Sequence, residues 1–264
     1  FIAAEECYRK QLDLANELDN NRLFLIAVAN MGIVYFENRE YESALKCFHQ
    51  VLDYSNTFDD EAIIKKILGS VVGAHYELGR YAEGYKWMTQ YKEIAEKSGN
   101  KKSICDVNYD LAIYYKRICD FDKAEVILDK SLVFVKQLDY KELLAKILFE
   151  KAEILFMKNN VSLAKSLNYD AFELARNIDD KNTVFKCRIL NAKIIAGEDS
   201  ESALEKFRAL LEKYSAFDKK AEIYFEMYNI TGNKFFQTNS KRLFRKLFRK
   251  NPLAKYKEKL ELLK

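Results

Sequence analysis

The chain has 264 residues, 49% apolar and 32% charged, with 8 glycines, one proline and a formal net charge of +4. That balance excludes a disordered chain, and so few backbone breakers exclude a turn-dense all-β fold, collagen or linker material. What remains is an almost wholly helical globular protein. No apolar run reaches the ~20 residues of a membrane span. The five cysteines, at 7, 47, 105, 119 and 187, show no CxxC spacing. They predict neither a disulfide framework nor a metal site, but buried reduced thiols in a cytoplasmic protein.

The start, Phe1 to Glu6, carries neither an initiator Met nor a signal-peptide layout, so the sequence reads as a fragment of a longer chain. Residues 1–20 match only the second helix of the unit that follows. From there one column repeats: Ala4, Ala44, Gly84, Ala124, Ala164 and Ala203, at steps of 40, 40, 40, 40 and 39. Four residues on stand Tyr8, Phe48, Met88, Leu128, Asn168 and Phe207. Eleven on stand Ala15, Ser55, Ala95, Val135, Ala175 and Tyr214. Fifteen on stand Asp19, Asp59, Gly99, Asp139, Asp179 and Asp218. Columns in register over five periods define a repeat array.

Each period divides into two helices. The first is expected to begin at the turn aspartate as N-cap, and Asp139 with Glu142 has the spacing of a capping box. Apolar columns then recur at helical spacing, as in Phe24, Ile64, Ile104, Leu144 and Val184. A break follows, such as Asn38-Arg39-Glu40 or Leu78-Gly79-Arg80. The second helix opens on Tyr41, Tyr81, Phe121 or Val161 and carries the small residue, which permits close approach of its partner helix. The hairpins are predicted over 21–58, 59–98, 99–138, 139–178 and 179–217. Beyond, 219–264 reads as a degenerate terminal repeat. It has a first helix over Lys219–Ile230, a second over Ser240–Arg249, and a last helix restarting at Pro252 as a cap.

Met31-Gly32-Ile33-Val34-Tyr35 followed by Tyr41-Glu42-Ser43-Ala44 and Phe48 resembles the tetratricopeptide repeat (TPR) pattern, and Leu111 to Tyr115 with Phe121 and Ala124 repeats it. The resemblance covers roughly residues 1–215, in the long-period variant found in bacterial signalling proteins. Repeat four departs from it at Lys151, Leu155 and Asn168. It implies an all-α, right-handed superhelix of antiparallel helix pairs, with first helices lining a concave groove and second helices outside. The groove residues are then the irregular first-helix columns: Asn30, Glu37, Lys66, Glu77, Tyr109, Asp110, Arg117, Lys146, Phe149, Glu150 and Lys186.

Nothing in the sequence points to catalysis. No phosphate-binding, dinucleotide, zinc-protease or nucleophile-elbow motif occurs. His75 falls in the column of Tyr35, Tyr115 and Leu155 and reads as core, His49 as a solvent-facing structural residue, and Trp87 as partly exposed packing. Asp59-Asp60-Glu61 and Asp179-Asp180 read as turn carboxylates. The expected function is a non-catalytic protein–protein or protein–peptide scaffold without cofactor. The alternative is a peptide-sensing domain that switches an attached kinase, cyclase or DNA-binding module. Residues 234–264 hold 11 Lys/Arg against 2 Asp/Glu, a balance of +9 that leaves −5 for the rest. Lys241, Arg242, Arg245, Lys246 and Arg249 could therefore touch an anionic membrane or nucleic acid. With no nucleic-acid-binding motif present, the favoured reading packs Leu243, Phe244, Leu247 and Phe248 against the array and leaves the cations solvated.

Overall fold

A computed structural model describes residues 2–54 and 61–264, with the side chains of 2–5, 61 and 62 outside the description. The repeat-column residues Ser55 and Asp59 and the turn carboxylate Asp60 therefore lie outside the described residues, as do the side chains of Ala4 and Glu61. Among the described residues there are fourteen helices and no strand. They are α1 (Ile2–Glu17), α2 (Asn21–Glu37), α3 (Tyr41–Asp53), α4 (Glu61–Glu77), α5 (Tyr81–Ser98), α6 (Lys101–Arg117) and α7 (Phe121–Gln137). There follow α8 (Lys141–Met157), α9 (Val161–Asn177), α10 (Lys181–Ala196), α11 (Ser200–Lys213), α12 (Phe217–Thr231), α13 (Lys234–Lys250) and α14 (Ala254–Leu262). The chain forms two compact units, Phe1–Asp110 and Leu111–Lys264.

In the first unit, the helix pairs α2–α3 and α4–α5 pack through glycine. A Cβ on Gly32 would lie 2.6 Å from the Phe48 ring, and one on Gly84 would lie 2.5 Å from the Tyr76 ring. The neighbouring helix thus occupies the space a side chain would need, which is why small residues recur there. Ala44 and Phe48 are fully buried, as are Met88 and Ala95. In the second unit the same columns hold Ala124, Leu128, Val135, Ala164, Ala203 and Phe207, all fully buried. Asn168 stands where the others are apolar. It is buried and donates its amide to the Cys187 carbonyl of α10 at 3.0 Å.

The turn aspartates do a different job from the one their side chains suggest. Asp19, Asp139 and Asp179 have φ of 47°, 48° and 56°, and Gly99 has 63°. They close the preceding helix in the left-handed conformation, and after each of the three aspartates the next residue's N–H returns to the carbonyl five positions back, as in Asp180 to Ala175 at 2.8 Å. The first helices therefore start one residue later than expected. Asn20 and Asp180 are the N-caps, accepting from Leu23 N–H and from Asn182 and Thr183 N–H. Tyr140, which has no capping side-chain bond, replaces the expected Asp139 box. The hairpin turns use the same device at Arg39, Gly79, Cys119 and Asn159, with φ of 62° to 77°. The turn before α11 does not, since Gly197 keeps φ −69°, and α10 has 16 residues where α2, α4, α6 and α8 have 17, which accounts for the 39-residue step.

Other expectations are corrected. Cys7 and Cys119 are exposed, and only Cys105 and Cys187 are buried; burial pushes the Cys187 thiol up to about 12. His49 is half-buried beside Trp87, with ring centroids 5.1 Å apart. The terminal helices differ too. α12 begins at Phe217 and α13 begins at Lys234 on an Asn233 cap, six residues before the expected start. Pro252 precedes α14 instead of opening it.

Candidate trough on the first helices of the second unit

The first helices α8, α10 and α12 of the second unit touch in sequence, and successive second helices pair less closely. That arrangement curves the unit toward its first-helix face, where a recess of about 530 Å³ opens among Phe156, Lys193, Asn229, Ile230, Lys259 and Leu262. Charge alternates helix by helix across this face. α6 supplies Lys116, α8 supplies Glu150 and Glu153, α10 supplies Lys186 and Lys193, α12 supplies Glu222 and Glu226, and α14 supplies Lys259.

The ladder's floor is deeply set. The Glu150 side chain is 3% exposed, and Lys116, at 14%, donates both to it and to Glu153 at 2.6 Å. Burial works against the Lys116 ammonium, but the two carboxylates overcome it and hold its pKa above the usual value. Burial likewise opposes the Glu153 charge, and Lys116, helped by Lys193 and Lys186, wins and lowers its pKa. Glu226, also buried, accepts from Asn229 at 3.2 Å, and Lys259 donates to Glu222 at 2.9 Å.

The two α10 lysines are bound differently. Lys186 Nζ lies 3.7 Å from Glu150 and Lys193 Nζ lies 3.8 Å from Glu226, beyond hydrogen-bond reach. Among the described residues neither ammonium has a hydrogen-bond acceptor. Each instead sits over an aromatic ring, Lys186 over Phe149 at 5.4 Å and Lys193 over Phe156 at 5.7 Å. Half-exposed donors above apolar floors can receive carbonyl or carboxylate oxygens from a chain lying along α10.

Of the groove residues read from the sequence, Phe149, Glu150 and Lys186 come together here. Phe149 and Glu150 are buried floor and not open surface. Lys146 is exposed nearer the α10 N-terminus, and its charge helps to lower the Asp180 pKa, behind the opposing effect of burial and the bonds from Thr183. Arg117 pairs with Glu258 of α14 at 3.3 Å, both side chains being about half exposed. In the first unit, Asn30 and Glu37 stand on α2, Lys66 and Glu77 on α4, and Tyr109 and Asp110 on α6. Glu37 and Lys66 are exposed and the other four half-buried.

Lys116, Glu153, Lys193, Glu226 and Lys259 escaped the sequence reading. The signal for two of them was present. The column Ile33, Gly73, Ile113, Glu153, Lys193 turns from apolar to charged in its last two repeats. Glu226 and Lys259 fall beyond Asp218, where the register slips and columns no longer align.

On α13, Leu243 and Phe244 are buried, Leu247 and Phe248 half-buried, and Phe225 of α12 meets Phe244 edge-on at 6.4 Å. Lys241, Arg242, Arg245, Lys246 and Arg249 line a second recess of about 640 Å³ together with Phe217. The described residues hold no cluster of three or more metal-ligating side chains, and no described helix is long and apolar enough to cross a membrane.

No family model matches the chain. Among curated proteins it is 24% identical over 140 residues to the human intraflagellar transport protein 88 homolog, covering 52% of this chain and 16% of that protein. It is also 24% identical over 93 residues to the 43 kDa receptor-associated protein of the synapse from Tetronarce californica, covering 35% and 22% respectively. The matches thus span less than a quarter of these relatives' length. The fold is similar to the apo form of RapI, with TM-score 0.77 and 16% identity over 98% of this chain and 92% of that one. It is similar to the Rap conjugation gene regulator of plasmid pLS20, solved with the Phr* peptide, at TM-score 0.72 and 15% identity over 90% and 65%. TPR-like repeats of a Podosopora anserina kinesin light chain align at TM-score 0.53 and 17% identity over 70% and 93%. The chain has the TPR-type helical repeat fold.

Proposed function

We propose that the chain is a non-catalytic interaction module whose second unit holds a polypeptide segment along α8, α10 and α12. The observation that carries this reading is the pair Lys186 and Lys193. Among the described residues neither ammonium has an acceptor within hydrogen-bond reach, each standing 3.7 to 3.8 Å from its carboxylate and above Phe149 or Phe156 on the face that curves inward. An extended chain supplies oxygens to such donors and apolar side chains to the recess at Phe156 and Ile230. The floor is already ordered by its own ion pairs, so binding has little to immobilise on the protein side. The structure of a similar Rap regulator with a peptide bound supports a peptide as the class of partner. Unpaired thiols suit a cytoplasmic setting.

The test is selection from a displayed random-peptide library on the full chain. Recovered peptides should bind the parent chain. They should lose about tenfold or more to a Lys186→Ala/Lys193→Ala variant and nothing to Lys165→Ala on the second helix α9. Peptides insensitive to the α10 change would refute the site, and recovery of none would refute the reading.

A second reading, a peptide-sensing regulator, is favoured by the Arg117–Glu258 pair. It ties α6 to α14 at the rim of the same face, and exposed pairs of this kind are weak. A peptide that engages either side chain would release the tie. Distances between spin labels on α6 and α14 should then change when a selected peptide binds, and unchanged distances would sink this reading.

A further inference from the structure

The basic recess on α13 contains more than solvated cations. We propose that it is a binding surface for single-stranded nucleic acid, with Phe217 as a base-stacking platform and Lys241, Arg242, Arg245, Lys246 and Arg249 as phosphate contacts. The sequence favours a polypeptide partner over nucleic acid because no recognition motif is present; Phe217 stands more than twenty positions before the cations in the chain. Folding α12 beside α13 brings them to one recess.

Four observations carry the assignment. First, five cations and no carboxylate line the recess, in contrast to the trough, where every helix of cations faces one of carboxylates. Second, Phe217 is 48% exposed, although the Lys246 ammonium lies 4.1 Å from its centroid. An open aromatic ring inside a cationic recess is the arrangement that single-strand binders use, bases stacking on the ring while cations follow the backbone. Third, Lys241, Arg245 and Arg249 are four residues apart on α13. They repeat along one side of the helix at about 6 Å per step, close to the phosphate-to-phosphate step of an extended single strand. Fourth, Arg245 and Arg249 are exposed, and among the described residues neither has a carboxylate partner.

Two of the cations have further tasks that pin the site. Lys241 donates to the Leu263 carbonyl at 3.3 Å, and Arg242 to the Asn239 side chain at 3.3 Å. A lipid surface fits less well. An interfacial helix must offer an apolar face to the acyl region, and here Leu243 and Phe244 are committed to the core.

The test measures fluorescence anisotropy of labelled dT12 and rU12 with the full chain between 50 and 300 mM salt. Heparin, a poly-glutamate peptide and phosphatidylserine vesicles serve as comparison ligands. With three to five phosphate contacts, log K against log salt should fall with a slope of about −2 to −3.5 for a single strand. Arg245→Gln/Arg249→Gln, both at exposed positions, should weaken binding and make that slope about 1.4 shallower. Phe217→Leu should weaken dT12 and rU12 about tenfold, leave the slope unchanged, and leave heparin binding unaffected. A preference for dT12 or rU12 would identify the natural source without altering the site. The proposal is overturned if neither oligonucleotide binds at 50 mM salt. It is equally overturned if poly-glutamate, heparin or vesicles bind as tightly as dT12, or if Phe217→Leu has no effect on either oligonucleotide.

Discussion

Replacing Lys116 by Met tests the ladder where it is most deeply set. The substitution keeps most of the side-chain volume and removes the charge that serves both Glu150 and Glu153. Glu150, 3% exposed, would lose the ammonium that donates to it and keep the Lys186 ammonium at the longer distance of 3.7 Å. Breaking a buried pair by removing one partner costs about 3–5 kcal/mol. At about 2–4 °C per kcal/mol, the melting transition of the second unit should fall by about 10 °C. Urea unfolding and amide exchange in α8 report the loss directly. The sign with pH is fixed by Glu153. Its pKa is lowered in the folded protein, so it contributes stability above its unfolded value near 4.5, and that contribution is lost as pH falls through the folded value. The deficit of Lys116→Met should therefore be largest at pH 7 and shrink toward pH 4, as the stranded carboxylates take up protons. Adding Glu150→Gln to the variant should recover part of the loss at pH 7. A loss below about 1 kcal/mol, or an equal loss at pH 4 and pH 7, would show that Lys116 acts through its aliphatic stem and not through charge.

Three further outcomes are expected. His75 is 6% exposed, neither ring nitrogen has a hydrogen-bond partner among the described residues, and burial lowers its pKa, with His49 adding to the effect. A lowered histidine pKa makes stability fall as pH drops below about 6.5. His75→Leu, the residue its column holds at Leu155, should remove that slope and stabilise the first unit by about 1–3 kcal/mol, as read by urea titrations at pH 5 and 7.5. Gly84→Ala should destabilise the first unit by about 1 kcal/mol in urea melts, overpacking against Tyr76 outweighing the better helix propensity. Asp139→Gly should be tolerated or stabilise slightly in thermal melts, because the position needs a positive φ and not a capping carboxylate.

The same residues show why parts of the architecture were legible and others were not. Ala44, Gly84 and Ala124 announce close helix approach because a missing side chain leaves a trace at fixed spacing. The turn column misled because aspartate serves both as an N-cap and as a left-handed residue. Only Gly99 in that column, where no cap is possible, pointed to the second role. The trough was partly hidden for a different reason. Ion pairs such as Lys116–Glu153 and Lys193–Glu226 join residues 33 to 37 positions apart, and complementarity between different columns leaves no periodic mark. Phe217 and Arg245 are joined only by the packing of α12 on α13, after the repeat register is lost.

The central claim concerns which face of the second unit carries the partner, and photo-crosslinking reads that face directly. A benzophenone side chain placed at Ala196 or Asn229 on the first helices, or at Lys165 or Arg208 on the second, is irradiated with a library-selected peptide. Adducts should form from the first two positions only, while adducts from Lys165 or Arg208 with none from Ala196 or Asn229 would contradict the account.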